Sequence, residues 1–197
     1  DRYSMIKFFF KFSLLLVLLS PVARAVDMPP LVDTEWLSAN LGRGDLTVLD
    51  IQDAKDYARF HVPGAVNAHY GKWRTGKKDP AGPSMMPPVA LLEAMIGELG
   101  IGNQQSVVIA ATGRGAGDLA AAARVFWTFK MLGHGPVAVL DGGLAAWAQS
   151  RKPLEASANQ PEPRRFVARP DVDLMLTADR AKALLEGGKG FVDARTE

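Results

Sequence analysis

Short apolar segments typical of buried strands alternate with helical segments along most of the chain, and this alternation limits the folds that the chain can adopt. Strands that alternate with helices of this length form βαβ units, in which the strands are parallel and the helices cover the sheet. The sequence therefore predicts an α/β fold, with a parallel sheet flanked by helices on both faces. The predicted strands span residues 46–51, 66–68, 106–110 and 137–140.

Polar residues, proline and glycine mark where the predicted helices begin and end. Asp33 and Asp118 precede or open helical patterns and are predicted to be N-caps, whereas glycine follows two of the helices. The aromatic side chains of Trp36, Trp127 and Trp147 lie among apolar neighbours at helical spacing, which predicts that they are in the core. The predicted helices span residues 34–41, 53–60, 88–99, 118–131 and 144–148.

A glycine-rich loop at residues 111–117 lies between a predicted buried strand and the longest predicted helix. Loops at the carboxyl ends of the strands are where α/β sheets usually bind ligands, and the start of a helix favours an anion. The candidate anion-binding residues are Thr112, Gly113, Arg114 and Gly115. The alternative is that Arg114 is an ordinary solvated arginine, since the nearby carboxylate of Asp118 opposes an anion.

Other polar residues have structural explanations that compete with chemical ones. His61 is either a catalytic group or a residue that braces a turn, and Asp50 is either an acid/base group or a residue that holds a loop. Arg124 is predicted to form a structural pair. The three histidines do not stand at metal-ligand spacing with acidic residues, and no phosphate-binding P-loop motif is present. The sequence therefore predicts neither a metal site nor a cofactor.

The N-terminal 25 residues have the three parts of a secretory signal peptide. A basic region precedes an apolar run at residues 12–19, and an Ala-x-Ala cleavage site ends at Ala25. We therefore expect export, to a bacterial periplasm, of a chain that begins at Val26 and does not contact the membrane after cleavage; the alternative is an uncleaved anchor. Without these residues the net charge falls from +2 to near −1, so nothing in the charge predicts a nucleic-acid partner.

The order of elements begins again near the end of the chain. Asp33 is followed 17 residues later by Asp50 at the end of a strand, and Thr177 is followed 16 residues later by Asp193 in the same role. Such a repeat predicts a second domain of the same kind. The predicted organisation is a signal peptide at 1–25, a domain at 31–150, a linker at 151–170 and the start of a second domain at 171–197.

Several segments resemble the rhodanese family, and specifically its two-domain sulfurtransferases. The sequence VLDI at residues 48–51, together with Tyr57 and HVPGAVN at 61–67, is similar to one signature of the family. The sequence GHGPVAVLDGGLAAW at 133–147 is similar to another, and FVDAR at 191–195 is similar to the opening of a following domain. Gln52 departs from the family pattern, which often has arginine there.

The resemblance implies a sulfurtransferase whose first domain is inactive. The family's nucleophilic cysteine follows the strand that matches residues 107–110, where this chain has Ala111, and the chain has no cysteine. The implied function is transfer of a sulfane sulfur from thiosulfate or 3-mercaptopyruvate to an acceptor such as cyanide, with the catalytic cysteine in a second domain of the same chain. The alternative is a non-enzymatic binding or regulatory module built on an inactive rhodanese fold.

Overall fold

The computed structural model describes residues 28–192, and its centre is a five-stranded parallel sheet in the order β1-β5-β4-β2-β3. This architecture confirms the predicted fold class. The strands are β1 (Leu31–Val32), β2 (Leu46–Asp50), β3 (Val66–Asn67), β4 (Ser106–Ala110) and β5 (Val137–Leu140). The α-helices are α1 (Thr34–Asn40), α2 (Ala54–Tyr57), α3 (Val89–Glu98), α4 (Ala116–Met131), α5 (Gly143–Gln149) and α6 (Ala178–Glu186). Two short 3₁₀ helices span Tyr70–Trp73 and Val172–Leu174.

The central strand β4 is buried along its whole length because helices cover both faces of the sheet. Successive side chains of a strand point to opposite faces. Val107 and Ile109 therefore pack with α3 and α4, whereas Val108 and Ala110 pack with α1 and α5. Two apolar cores result, one on each side of the sheet, as the near-continuous apolar runs of the strands predicted.

Three features of the domain differ from the sequence-based prediction. Strand β1 was not predicted; it pairs with the edge of β5, where the N–H of Val139 donates to the carbonyl of Pro30. Helix α4 begins at Ala116, so Asp118 lies in its first turn and is not the N-cap. Helix α2 is shorter than predicted, because the chain leaves it for an antiparallel bridge between His61 and Glu155.

The tryptophans are not all where helical spacing placed them. Trp147 is fully buried as predicted, but Trp36 and Trp127 are only half-buried. Trp73, which lies in a segment predicted to be a loop, is fully buried, and its ring lies 5.3 Å from that of Phe129. Its indole N–H donates to the carbonyl of Ala68 at 3.1 Å, which satisfies the polar atom that burial would otherwise strand.

The predicted linker runs along the surface of the domain and is attached to it at several points. Phe166 inserts into the core beside Phe129, and the N–H of Arg164 donates to the carbonyl of Gly97 at 2.9 Å. At its other end, the carboxylate of Glu155 accepts hydrogen bonds from the N–H of Gly64 at 2.7 Å and from the hydroxyl of Ser157 at 2.6 Å. These donors lower the pKa of Glu155 to about 2, with Ser157 the largest cause.

The segment that follows the linker contributes no buried residue. Thr177 caps α6 as predicted, its hydroxyl accepting from the N–H of Arg180. Leu174, Leu185 and Phe191 are 44%, 56% and 45% exposed, as expected of apolar residues without a sheet of their own. Phe191 and Val192 are not in a strand, and the rest of the predicted strand, with Asp193, lies outside the described residues.

The predicted signal peptide also lies outside the described residues, as does the predicted start at Val26. Within residues 28–192, no helix has the length and apolar character needed to cross a membrane.

Candidate functional site

The glycine-rich loop between β4 and α4 lies against the turn that follows β5, and the two are held together by backbone hydrogen bonds. The N–H of Leu144 donates to the carbonyl of Ala111 at 2.8 Å, and the N–H of Ala145 donates to that of Thr112 at 3.0 Å. Gly113 has φ +77°, a conformation that glycine adopts without steric cost, and a Cβ there would overlap the carbonyl oxygen of Gly142. Glycine at position 113 is therefore what allows the loop to approach the turn so closely.

The carboxylate of Asp118 occupies the donors that the loop would offer to an anion. Its Oδ2 atom accepts hydrogen bonds from the hydroxyl of Thr112 and, at 2.8 Å, from the N–H of Arg114. These bonds lower the pKa of Asp118, with the Thr112 hydroxyl as the largest cause, so the carboxylate remains charged at neutral pH. An external anion at this loop has to compete with a negative charge that belongs to the chain itself.

Two cavities flank the loop, and Ala111 lines both of them. One, of about 270 Å³, lies between the loop and the Gly142–Gly143 turn, with Leu119 and Arg114 also in its wall. The other, of about 300 Å³, is lined by His69, Tyr70, Asp118 and other residues from β2, α4 and the first 3₁₀ helix. The methyl group of Ala111 thus stands at the centre of a site that is otherwise complete as a shape.

The four candidate anion-binding residues are adjacent in space, but they differ in what they offer. The hydroxyl of Thr112 is already bonded to Asp118, and the guanidinium of Arg114 is exposed to solvent. Gly115 is the N-cap residue of α4 in an extended conformation, and it has no side chain to contribute. Anion binding by Thr112, Gly113, Arg114 and Gly115 therefore stays a prediction.

Asp50 lies near the loop and has the loop-holding role that its position at the end of a strand suggested. The carboxylate is fully buried and accepts from the backbone N–H of Gln52 at 2.8 Å and from its side-chain amide at 2.7 Å. Burial raises the pKa of Asp50, although the bonds from Gln52 oppose this effect. Gln52 thus supplies uncharged donors to this carboxylate.

His61 braces the turn and does not line either cavity beside the loop. Its Nδ1–H donates to the carbonyl of Tyr57 at 2.7 Å, and its ring stacks on that of Tyr57 with centroids 3.9 Å apart. Its Nε2 faces Asn159 and Glu155 of the linker at 3.4 and 3.6 Å. The sequence did not predict this contact, because the linker residues lie about a hundred positions away.

Arg124 is paired, but with an aromatic ring. Its guanidinium carbon lies 5.8 Å from the centroid of Trp127, and within residues 28–192 it forms no ion pair. The same part of the chain contains no group of acidic residues and histidines able to hold a metal ion.

Comparison with known proteins places this geometry in a family. The family model described as a rhodanese-like domain matches residues 33–150, which include the sheet, the loop at Ala111 and the turn at Gly142. The chain belongs to the rhodanese family. Within that family, the loop after β4 is the element that resembles the nucleophile loop, with alanine in the place of cysteine.

Sulfurtransferases of the family are similar to this chain over most of its length. A thiosulfate sulfurtransferase of Cricetulus griseus is 32% identical over 182 residues, which cover 85% of this chain and 59% of that protein. A 3-mercaptopyruvate sulfurtransferase of Homo sapiens is 33% identical over 170 residues, which cover 84% of this chain and 52% of that protein. The chain therefore spans little more than half the length of these relatives.

A solved structure confirms the rhodanese fold. The crystal structure of SseA from Escherichia coli, a 3-mercaptopyruvate sulfotransferase by its description, superposes with a TM-score of 0.68 at 21% identity. The superposition covers 82% of this chain and 63% of SseA.

Proposed function

We propose that this chain is the non-catalytic first domain, with the start of a second domain, of an exported rhodanese-type sulfurtransferase. The whole protein would transfer a sulfane sulfur from thiosulfate or 3-mercaptopyruvate to a small thiophilic acceptor such as cyanide. The single observation that carries the proposal is the intact loop around Ala111: the fold retains the shape of the rhodanese site, but no atom there can hold a sulfur. The length of the sulfurtransferase relatives supports a second domain in the same chain.

The reaction itself requires a thiolate. With thiosulfate as donor, the thiolate sulfur attacks the outer sulfur, the S–S bond of the donor breaks, and sulfite leaves with the electron pair. Cyanide then attacks the outer sulfur of the resulting persulfide, which releases thiocyanate and restores the thiolate. No residue of the 197-residue chain can form this persulfide, because the chain has no cysteine.

We expect the chain as given to form no thiocyanate above the buffer control when it is incubated with thiosulfate and cyanide. The Ala111→Cys variant should gain a reactive thiol but remain a poor catalyst, since the nearby charge of Asp118 opposes formation of a thiolate. The double variant Ala111→Cys/Asp118→Asn keeps an acceptor for Thr112 and Arg114 but removes the charge. Its thiol should therefore react with iodoacetamide faster than that of the single variant at pH 7, by about tenfold for each unit by which the thiol pKa falls.

Two outcomes would contradict this account. Turnover by the unmodified chain that scales with its concentration would show that Ala111 does not mark a missing nucleophile. Equal alkylation rates in the single and double variants would show that Asp118 does not control the electrostatics of the loop. For the whole protein, 61 residues separate Asp50 from Ala111, so the coding sequence about 60 residues beyond Asp193 should encode a cysteine after an apolar strand. If no cysteine is encoded there, the binding or regulatory module becomes the better explanation.

The proposal of export is tested separately. We expect the chain recovered from the periplasm of an expressing bacterium to begin at Val26, because the small residues of the Ala-x-Ala site precede it. N-terminal sequencing and intact mass measure this directly. Recovery of the uncleaved chain in the membrane fraction would instead support the anchor.

A further inference from the structure

A second site of opposite character lies away from the loop, where the side chain of Arg74 is buried without a charge partner. Arg74 is only 9% exposed, and it follows the 3₁₀ helix that carries Trp73. One guanidinium nitrogen donates to the carbonyl of Trp73, but Nε and Nη2 are buried and have no hydrogen-bond partner within residues 28–192. A buried cation with unmet donors is costly unless an acceptor is supplied.

The surroundings of Arg74 add positive charge and no negative charge in direct contact. The guanidinium lies 5.6 Å from the ring centroid of Tyr70, and the positive charge of Arg124 is close enough to disfavour a second cation. Burial is the main cause that lowers the pKa of Arg74, and Arg124 adds to it, whereas Tyr70 opposes it. Among the described residues, no ion pair involves Arg74.

A cavity of about 240 Å³ adjoins this side chain and combines basic and apolar walls. Arg74 and Lys72 line it on one side, and apolar residues line it on the other, including Leu91, which is 64% exposed. The remaining wall residues are Thr75, Gly76, Asp79, Pro87, Pro88 and Leu92. Thr75 already bonds within its own loop, and Asp79 accepts the N–H of Ala81, so neither neutralises the two cations.

We propose that this cavity binds a small organic anion, whose acidic head group is held by Arg74 and Lys72 while its apolar part packs on Pro88 and Leu91. Guanidinium groups bind carboxylates and other oxyanions through parallel hydrogen bonds, and the unmet donors of Arg74 are of this kind. Because Nε and Nη2 are covered in the unliganded chain, binding turns the guanidinium toward the cavity and changes its contact with Tyr70. The exposed surface of Leu91 is explained by the same ligand, which covers it.

The proposal is tested by titrating the ¹⁵N-labelled chain with hexanoate at constant ionic strength. We expect saturable shifts of the Arg74 Nε–H signal and of the backbone signals of Thr75 and Leu91. Hexanol, which has the same apolar part without the charge, should bind at least about tenfold more weakly, as expected if the charged contact contributes one order of magnitude or more to the affinity. Sulfate, which lacks the apolar part, should also bind more weakly than hexanoate.

Matched variants separate this site from surface charge in general. Arg74→Met should abolish the saturable shifts, and Lys72→Gln should weaken binding several-fold. Lys78→Gln removes the same charge from an exposed position of the same loop that does not line the cavity, and it should leave the affinity within about twofold, as is usual for screened surface charges. Lys72 is exposed, so its variant keeps the test valid even if Arg74→Met does not fold.

Three results would overturn the proposal. The first is hexanoate affinity that Lys72→Gln and Lys78→Gln change equally. The second is binding of hexanol or sulfate as tight as that of hexanoate, which would remove the case for an organic anion. The third is saturable shifts confined to residues 112–115, which would place the anion at the loop beside Ala111 and not in this cavity.

Discussion

Replacing Gly113 with alanine should destabilise the domain by about 2–5 kcal/mol, the largest effect that we expect of a single methyl group in this chain. Gly113 has φ +77°, which costs an L-residue about 1–2 kcal/mol. The new Cβ would also overlap the carbonyl oxygen of Gly142, which belongs to the backbone and cannot turn away. Either the loop or the turn must move, so the hydrogen bonds that join Ala111 to Leu144 and Thr112 to Ala145 are weakened too.

Urea unfolding followed by far-ultraviolet circular dichroism measures this effect, with Gly117→Ala as the matched control. Gly117 lies in α4 and an added Cβ meets nothing there within 4 Å, so alanine should be neutral or stabilise the helix by up to about 1 kcal/mol. Equal unfolding free energies for the two variants would mean that the loop does not contact the turn as closely in solution. The comparison therefore tests the geometry on which the inactive rhodanese site depends.

The stability of the domain should fall by up to about 3 kcal/mol between pH 6.5 and pH 4 because of His134. This side chain is 2% exposed, and its ring lies 5.3 Å from that of Phe129 and 5.6 Å from that of Phe166. Neither ring nitrogen has a hydrogen-bond partner within residues 28–192. Burial is the main cause that lowers the pKa of His134 to about 4, and the charge of Lys130 adds to it.

The direction of the pH dependence follows from which state binds the proton. Between pH 6.5 and about 4 the unfolded chain protonates this histidine and the folded chain does not, so acid favours unfolding. Above pH 6.5 both states are neutral at this position and its contribution is complete. Asp50 has the opposite effect, since burial raises its pKa and the folded state then binds a proton more readily.

Thermal or urea unfolding across this pH range, with the variant His134→Phe, isolates the contribution of the buried ring. We expect the variant to lose most of the dependence between pH 6.5 and 4, while His69→Gln, which replaces an exposed histidine, retains it. An unchanged slope in His134→Phe would show that other groups cause the loss of stability in acid. The result matters for the fold because Phe166, which covers His134, is the point where the linker enters the core.

The inactive site and the buried linker together suggest a structural role for this domain within the proposed sulfurtransferase. Asp118 fills the donors of the loop, so the loop is held in its shape without a ligand. The linker is attached by Glu155 at one end and by Phe166 further along, so its path on the domain surface is set before residue 171. A domain built in this way can hold the proposed second domain in a defined position, whether or not it takes part in chemistry.

Local patterns in the sequence were enough to predict the α/β class, four of the five strands and the position of the glycine-rich loop. These features depend on interactions between near neighbours: apolar runs such as residues 106–110, caps such as Asp33 and Thr177, and the glycine pair at 142–143. The same patterns located Ala111, because the strand before it and the helix after it define its place. The absence of a thiol was settled by composition alone.

Other features were decided only when distant segments came together. Strand β1 exists because β5 offers an unpaired edge more than a hundred residues away, and Trp73 is buried because Phe129 of α4 packs on it. Asp118 was predicted to cap a helix, but α4 begins two residues earlier, and its carboxylate turns back to the loop. The burial of Arg74 gave no signal in the sequence at all, because whether a charge is paired depends on which groups surround it in three dimensions.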